Sequence, residues 1–382
     1  MTTSSAPPGP GMRVLLISPW IKLGGSECLV LRLARLLSAR GCQVSVACCF
    51  VDSRLIEDEV AGVHFIQPWR WIGALSRRHR ALLSLLGCPA LLVTVLRRAR
   101  SYELLNPHNF PSLWIAACVA KLSGARIVWH FNEAAPIPRA LNVLERTAAR
   151  QARAITVLDQ QSGAQVQHAF GRESTLVRPG VDFANWSQPS AREDAAGPAM
   201  LLTVGKLHAQ KNQIVLIEAV HALADDLPGL RLIITGEGPD RQWLEQRVDD
   251  LRLRERVWFS GLVDASTLRV FYRSAFLVCF PALRQTWGLT PFEALCQKTV
   301  SLVSSQAGAA EVIAVEGIGL VAEPNLQSFA GAIRQAFAAP DAMRQMGERG
   351  FAFVRDAMSW ERFGDRMLEV LRKDTSDVAS AA

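Results

Sequence analysis

Lysine is scarce in this sequence. Of 42 basic residues only six are lysine, and the rest are arginine. Eight cysteines are present, but no two stand in C-x-x-C spacing, which argues against a zinc knuckle or a dithiol redox centre. Most of them fall in apolar stretches and read as buried thiols of a reducing compartment, not as a disulfide framework. The opening MTTSSAPPGPG has neither a basic n-region nor an apolar h-region, so it reads as a disordered tail and not as a signal peptide. No apolar run reaches the roughly 18–20 residues that span a bilayer.

What is present is enough chain for two domains, with 49% hydrophobic and 20% charged residues over 382 positions. The net charge of +7 is unevenly spread. Residues 1–185 carry 21 Lys and Arg against 11 Asp and Glu, for +10, whereas the remainder carries 21 against 24, for −3. One half therefore suits a polyanion or an anionic surface. Nucleic acid is not expected as the partner, since no binding motif and no basic run interleaved with aromatics is found.

From Met12, MRVLLISPW has the length and aliphatic content of a buried strand. The turn LGGSE follows, then CLVLRLARLLSAR at helical period, then a second strand in QVSVACCF. Strand, helix and parallel strand make a βαβ unit, and ARIVWHF and RAITVL extend the sheet. WSQPSAREDAAGP, from Trp186 to Pro198, is polar and reads as a linker. The pattern then restarts with AMLLTVG, QIVLIEAVHAL, RLIITGEGP, RVWFSG and AFLVCFPA, and WERFGDRMLEVLRK closes the chain as a helix. The expectation is an α/β protein with two doubly wound Rossmann-like domains facing a cleft. The first covers 12–185 and the second 199–355, with a C-terminal helix over 356–373 packing back toward the first. No sequence repeat relates the two halves. Ligands of such sheets bind at strand carboxyl ends beside helix N-termini.

Two of the six lysines fall in VGKLHAQKN, as Lys206 and Lys211, just past a strand end. A loop there supplies amide donors and a positive helix end, and two ammonium groups make it a site for a multiply charged anion such as a diphosphate. The plainer reading is two solvated lysines. Downstream, LRQTWGLTPFEAL places Gly288 ahead of a helix that begins near Thr290 or Pro291. Proline suits a first helical turn, and the amides of Leu289 and Thr290 are then free to meet a phosphate. Glu293, in the first turns of that helix, can accept from a ribose diol, or else simply complements the helix dipole.

VGKLHAQKN, TGEGP and GLTPFEAL, in this order and spacing, resemble glycosyltransferase family 4, as do GGSE near the N-terminus, RPGVD and SWERF. The resemblance runs from Met12 to about Lys373. It implies the GT-B fold and transfer of a sugar, with retention of configuration, from a nucleotide-diphosphate-sugar donor. By the same resemblance Lys206, standing where the family has arginine, and Lys211 hold the diphosphate as it leaves. Gly24 and Gly25 admit a close approach of backbone to phosphate; a tight strand-to-helix turn is the alternative need for them. Gln285 occupies the place of the first of two glutamates separated by seven residues, and Glu293 that of the second. A glutamine there still bonds sugar hydroxyls but is neither nucleophile nor base. CQKTVSLVSSQAGAAE resembles a degraded form of the family's Gly/Pro-rich segment. His130 in WHFNE is expected near the donor sugar as a catalytic residue, with His108 and Asn109 of PHN and Glu133 on the acceptor side. Each histidine has the alternative of plain hydrogen-bonded structure. No Asp-x-Asp triplet occurs, so no metal and no other cofactor is expected.

The stretch from Trp69 to Arg100 joins tryptophans, seven arginines and an apolar centre. It reads as contact with an anionic membrane through Trp69, Trp71, Arg77, Arg78 and Arg80. The alternative is two packed helices broken at Gly87-Cys88-Pro89. The partners expected are thus a nucleotide-sugar, a glycan or glycolipid acceptor and an anionic membrane, and the place is the cytoplasm, at the inner face of its membrane. Two other functions compete: a nucleotide-sugar epimerase or hydrolase of the same fold, which would consume donor with no acceptor, and a non-catalytic nucleotide-sugar-binding subunit, which Gln285 favours.

Overall fold

The computed structural model describes residues 11–21, 25–51, 62–68, 77–132, 142–188 and 199–373. The chain divides into two compact units, one of residues 1–179 with 360–382 and one of residues 180–359. Each is a parallel sheet with helices.

The first unit contains β1 (Arg13–Ile17), β2 (Trp20–Ile21), β3 (Gln43–Ala47), β4 (Phe50–Val51), β5 (His64–Ile66), β6 (Leu104–Pro107), β7 (Arg126–Phe131), β8 (Ala152–Val157) and β9 (Thr175–Leu176). Seven of these form one parallel sheet in the order β5-β3-β1-β6-β7-β8-β9, while β2 and β4 pair separately. The strands are aliphatic on both faces because helices cover both. In β7, Ile127, Trp129 and Phe131 enter a buried core with Leu15, Ile17, Leu105 and Ile155. Residues between them, Val128 and His130, turn to the opposite face by the two-residue period.

The helix Arg77–Leu96 runs without a break through Gly87-Cys88-Pro89, which corrects the alternative reading of two helices broken there. Pro89 removes one backbone donor, but Leu91 and Val95 beyond it are fully buried in the core, and that burial outweighs one lost bond. Gly87 allows the helix to pass close to the strand side: a Cβ there would stand 3.0 Å from Cys49 Sγ. The C-terminal helix Trp360–Arg372 belongs to this unit. It packs on the helix Gly25–Ala39, where Arg40 donates to Asp365 at 2.6 Å and to the Glu361 carbonyl at 2.7 Å, and the Arg32 guanidinium lies over Trp360.

The second unit contains β10 (Met200–Val204), β11 (Arg231–Thr235), β12 (Val257–Gly261), β13 (Leu277–Phe280), β14 (Ser301–Ser304) and β15 (Leu320–Ala322), in the order β12-β11-β10-β13-β14-β15. The order reverses beside β10, as it does beside β1 in the first unit. The two units thus share a topology without sharing a repeat in sequence. Such reversals open a crevice at the strand carboxyl ends.

One stretch differs from expectation here, and a second holds a strand that the sequence pattern did not mark. Trp186 is not linker but the end of a helix from Phe183, held by its ring edge-on to buried Tyr272 and by Gln297, which donates to its carbonyl. Residues 189–198 of the stretch lie outside the described residues. The segment expected to be degraded contains β14. Its serines are buried without penalty because Ser301 donates to the Pro291 carbonyl at 3.1 Å, and Ser304 accepts from the Gln306 amide at 3.1 Å.

Candidate functional site

The reversal in the second unit falls between β10 and β13. The chain leaving β10 passes Gly205 and Lys206 into a short 3-10 turn, Ala209–Lys211, which ends on Asn212 in left-handed backbone, φ 55°. The Asn212 amide donates to the carbonyls of Pro281 and Pro324, at 3.2 and 3.1 Å. The Leu283 amide reaches Gln210 at 2.9 Å. These bonds fasten the loop after β10 to the loop after β13.

TGEGP serves this loop from below. Gly236 has φ +135°, and a Cβ on it would sit 2.0 Å from the Gly205 oxygen; one on Gly238 would sit 2.0 Å from the Leu207 oxygen. Both glycines are needed for close backbone approach, and the Gly205 and Leu207 amides then donate to Thr235 and Glu237, at 3.0 and 3.1 Å.

Lys211 is half-buried. Its Nζ donates to Gln285 Oε1 at 2.6 Å and lies 5.2 Å from the centre of the Phe280 ring. No carboxylate pairs with it among the described residues. Burial without a counter-charge lowers its pKa to about 8. Gln285 is itself held by its main chain, which accepts from the Gly308 amide at 2.9 Å and donates to Gln306 at 3.3 Å. The segment expected to be degraded is what holds Gln285 in place. Gly288, at φ +109°, also lies against Phe280, since a Cβ on it would stand 2.8 Å from the ring. Lys211, Gln285 and Gly288 are thus gathered around Phe280, a residue that sequence reasoning missed although an aromatic ending β13 was in view.

Lys206 has an exposed side chain, and its carbonyl accepts from Gln213 at 3.0 Å. Leu289 and Thr290 open the helix Thr290–Leu295, with Pro291 in its first turn. The amides there have no partner within the helix. Glu293 accepts from the Tyr272 hydroxyl at 2.8 Å. Tyr272 is fully buried and its pKa is held well above the usual value by burial and by that carboxylate. Tyr272, also missed in the sequence, orients Glu293.

The first unit has a second cluster. His108 follows β6 and His130 lies in β7, with ring centres 4.9 Å apart. His108 Nε2 meets Asn106 Oδ1 at 3.0 Å, and Asn106 Nδ2 donates to the Val128 carbonyl at 2.6 Å. His130 Nδ1 meets Thr156 Oγ1 at 2.9 Å. Burial lowers the pKa of His130 to about 4; burial and then His130 lower that of His108 well below the usual range. Both rings are neutral at pH 7. Asn109, expected on the acceptor side, caps the helix Phe110–Ser123, its side-chain oxygen accepting from the Ser112 amide at 3.0 Å and hydroxyl at 2.6 Å. Gly25 begins the helix Gly25–Ala39. Gly24, Glu133, Trp69 and Trp71 lie outside the described residues, as do the side chains of Arg77, Arg78 and Arg80. Among the described residues no group of three or more His, Cys, Asp or Glu could hold a metal ion.

Two family models match this chain. The one described as Glycosyltransferase Family 4 matches residues 23–185, and Glycosyl transferases group 1 matches 185–353. The chain belongs to glycosyltransferase family 4, and its two parallel α/β units are those of the GT-B fold class. Among curated relatives it is 25% identical over 229 residues to a glycogen synthase of Mycobacterium tuberculosis, covering 59% of this chain and 55% of that protein. It is 30% identical over 210 residues to the GDP-mannose-dependent alpha-(1-6)-phosphatidylinositol dimannoside mannosyltransferase of the same species, covering 53% of each. The chain thus spans about half the length of these relatives. The crystal structure of Anabaena Alr3699/HepE in complex with UDP superposes with a TM-score of 0.80 at 18% identity, covering 94% of this chain and 99% of that one.

Two outcomes are expected. Gly236→Ala forces a methyl into the Gly205 carbonyl and destabilises by roughly 1–3 kcal/mol. Gly229→Ala, with nothing within 4 Å of the added carbon, should leave the thermal midpoint nearly unchanged. For His130, the unfolded state takes up a proton near pH 6.5 and the folded state near 4. Its contribution is therefore whole above pH 6.5 and declines by roughly 3 kcal/mol as pH falls to 4. Urea midpoints at pH 7 and 4.5 measure this, and His130→Asn should show a shallower decline.

Proposed function

We propose that this protein is a retaining glycosyltransferase that moves a sugar from a nucleotide-diphosphate-sugar to a hydroxyl of a glycolipid, a lipid-linked oligosaccharide or a polysaccharide precursor. The observation that carries the reading is Lys211, an ammonium at the sheet reversal with a neutral amide as its partner and, among the described residues, no carboxylate to neutralise it. A diphosphate supplies the missing charge. Lys206, exposed nearby in sequence, adds a second cation, and the amides at Leu289 and Thr290 add donors. As the sugar–phosphate bond breaks, charge grows on the diphosphate, and fixed cations stabilise that state more than the ground state. The Gln285 amide is too weak a base and nucleophile to attack the sugar, so no covalent intermediate forms on it. The departing diphosphate takes the proton of the incoming hydroxyl instead. His130 is the first unit's residue for the donor sugar. Cations and amides take the place of a metal, so none is required. The UDP complex of HepE and the name of the GDP-mannose-dependent phosphatidylinositol dimannoside mannosyltransferase support a nucleotide donor and a lipid or glycan acceptor.

No helix among the described residues is long and apolar enough to cross a membrane. Peripheral contact through the 69–100 segment, at the cytoplasmic face, is part of the proposal and rests on its arginines and tryptophans. Flotation with anionic vesicles should retain the protein and release it as salt rises, since screening shortens electrostatic reach to about 8 Å at physiological ionic strength. Equal binding to neutral vesicles would leave the segment as structure alone.

Calorimetric titration with UDP and GDP tests the donor site. Lys211→Ala should weaken the diphosphate that binds by about ten- to a hundredfold, the worth of one charged hydrogen bond. Wild-type affinity should fall as pH rises above 8, where free Lys211 loses its proton, and Lys211→Arg should remove that fall. Excess EDTA should change neither result. Gln285→Glu pairs the ammonium in advance and should weaken binding at pH 7. Undiminished binding by the Lys211→Ala protein refutes the site.

A further inference from the structure

Three neighbouring helices, Arg77–Leu96, Phe110–Ser123 and Asn142–Ala149, lie on one face of the first unit's sheet. The middle one packs against the other two, and all three send side chains into the core that holds Leu105, Ile127 and Trp129. A helix in this position is ordinarily polar on its outer side. The middle helix is not. Its outer stripe, at helical spacing, is Pro111, Trp114, Cys118, Lys121 and Leu122, with one charge among them. The flanking helices add exposed Val93, Val143 and Leu144. Leu122 is 72% exposed, Val143 71% and Leu144 63%, so the apolar groups form a surface and not the rim of the core. The charge on this face has one sign. The three helices and the turn Ala99–Ser101, which packs against the middle one, contain a single acidic residue, Glu145, and it is buried. Arg97, Arg98, Arg100, Lys121, Arg146 and Arg150, on these elements or beside their ends, are all exposed. Glu103, the next carboxylate along the chain from the turn, is paired with Arg13 at 3.2 Å.

We propose that this three-helix face docks on an anionic lipid bilayer, with Leu122, Val143 and Leu144 entering between the headgroups and the surrounding basic residues meeting lipid phosphates. The inference rests on the peripheral contact in the proposed function and gives it a folded surface apart from residues 69–80. Charge complementarity selects the occupant. A second copy of this chain would bring the same cations against these ones, and like charges repel. A soluble polyanion would satisfy the arginines but leave the apolar side chains in water. A bilayer containing anionic lipid answers both, with phosphates at its surface and hydrocarbon within about 5–10 Å of them.

Flotation of the full-length protein with phosphatidylglycerol–phosphatidylcholine vesicles tests the face without nucleotide or turnover, so its failure is separable from that of the transferase reading. Replacing Arg97, Arg100 and Arg150 together with Gln should weaken binding about a hundredfold, about fivefold for each charge. Leu122→Ser with Leu144→Ser changes no charge and should weaken it by about tenfold or more. All five side chains are exposed, so the thermal midpoints of both variants should match the wild type. A fluorescent NBD group on Cys118, the exposed cysteine of the stripe, should shift to the blue on these vesicles and stay unshifted with dextran sulfate, and Cys118→Ser should lose the signal. Undiminished binding by both variants overturns the proposal, as does an equal shift with dextran sulfate or no shift on vesicles. Binding abolished by Arg77→Gln, Arg78→Gln and Arg80→Gln together, but untouched by the other variants, overturns this face and leaves the contact through residues 69–100 standing.

Discussion

A half-buried ammonium group, with no counter-charge among the described residues, is the constraint on which the second unit's site depends. Lys211 reaches Gln285 with a bond of 2.6 Å, yet an amide oxygen returns only part of the hydration lost. The surrounding structure spends much of its hydrogen bonding to hold this arrangement. Asn212 fastens the lysine's turn to Pro281 and Pro324, TGEGP braces the backbone beneath it, and residues 306–308 grip Gln285 by its main chain. A site so held is preorganised, its ammonium fixed in place by bonds already made.

The first unit uses the same topology for the opposite chemistry. Its reversal beside β1 carries imidazoles that burial keeps neutral, tied back to Asn106 and Thr156 rather than to charged groups. One topology therefore presents a cation and a set of amides in one unit, and uncharged donors and acceptors in the other. The proposed transfer of a sugar calls for both kinds of recognition, for a charged leaving group and for the hydroxyls of sugars. Family membership accounts for the shared fold; the side chains at each strand end account for the difference in charge.

Much of this was legible in the chain. Aliphatic runs of strand length, each followed by a helical period, placed β1, β3, β7, β8, β10, β11, β12 and β13, and the lysines drew the eye to the loop after β10. Short strands escaped, because β6 and β14 contain buried Asn106, Ser301 and Ser304, whose polarity hides strand character until their partners are known. The helix through Pro89 escaped for a related reason: local propensity argues for a break, and only burial of Leu91 and Val95 overrides it.

By itself the sequence determined the two α/β units, the order of the landmarks and the identity of the groups able to carry charge. Those follow from local period and from residue type, which need no knowledge of neighbours. The tertiary structure alone decided that Lys211 meets Gln285 over Phe280, that Asn109 caps a helix, and that Glu293 is oriented by Tyr272. Each of these depends on groups far apart in the chain, or on a backbone geometry, that become neighbours only when strands pair in their final order.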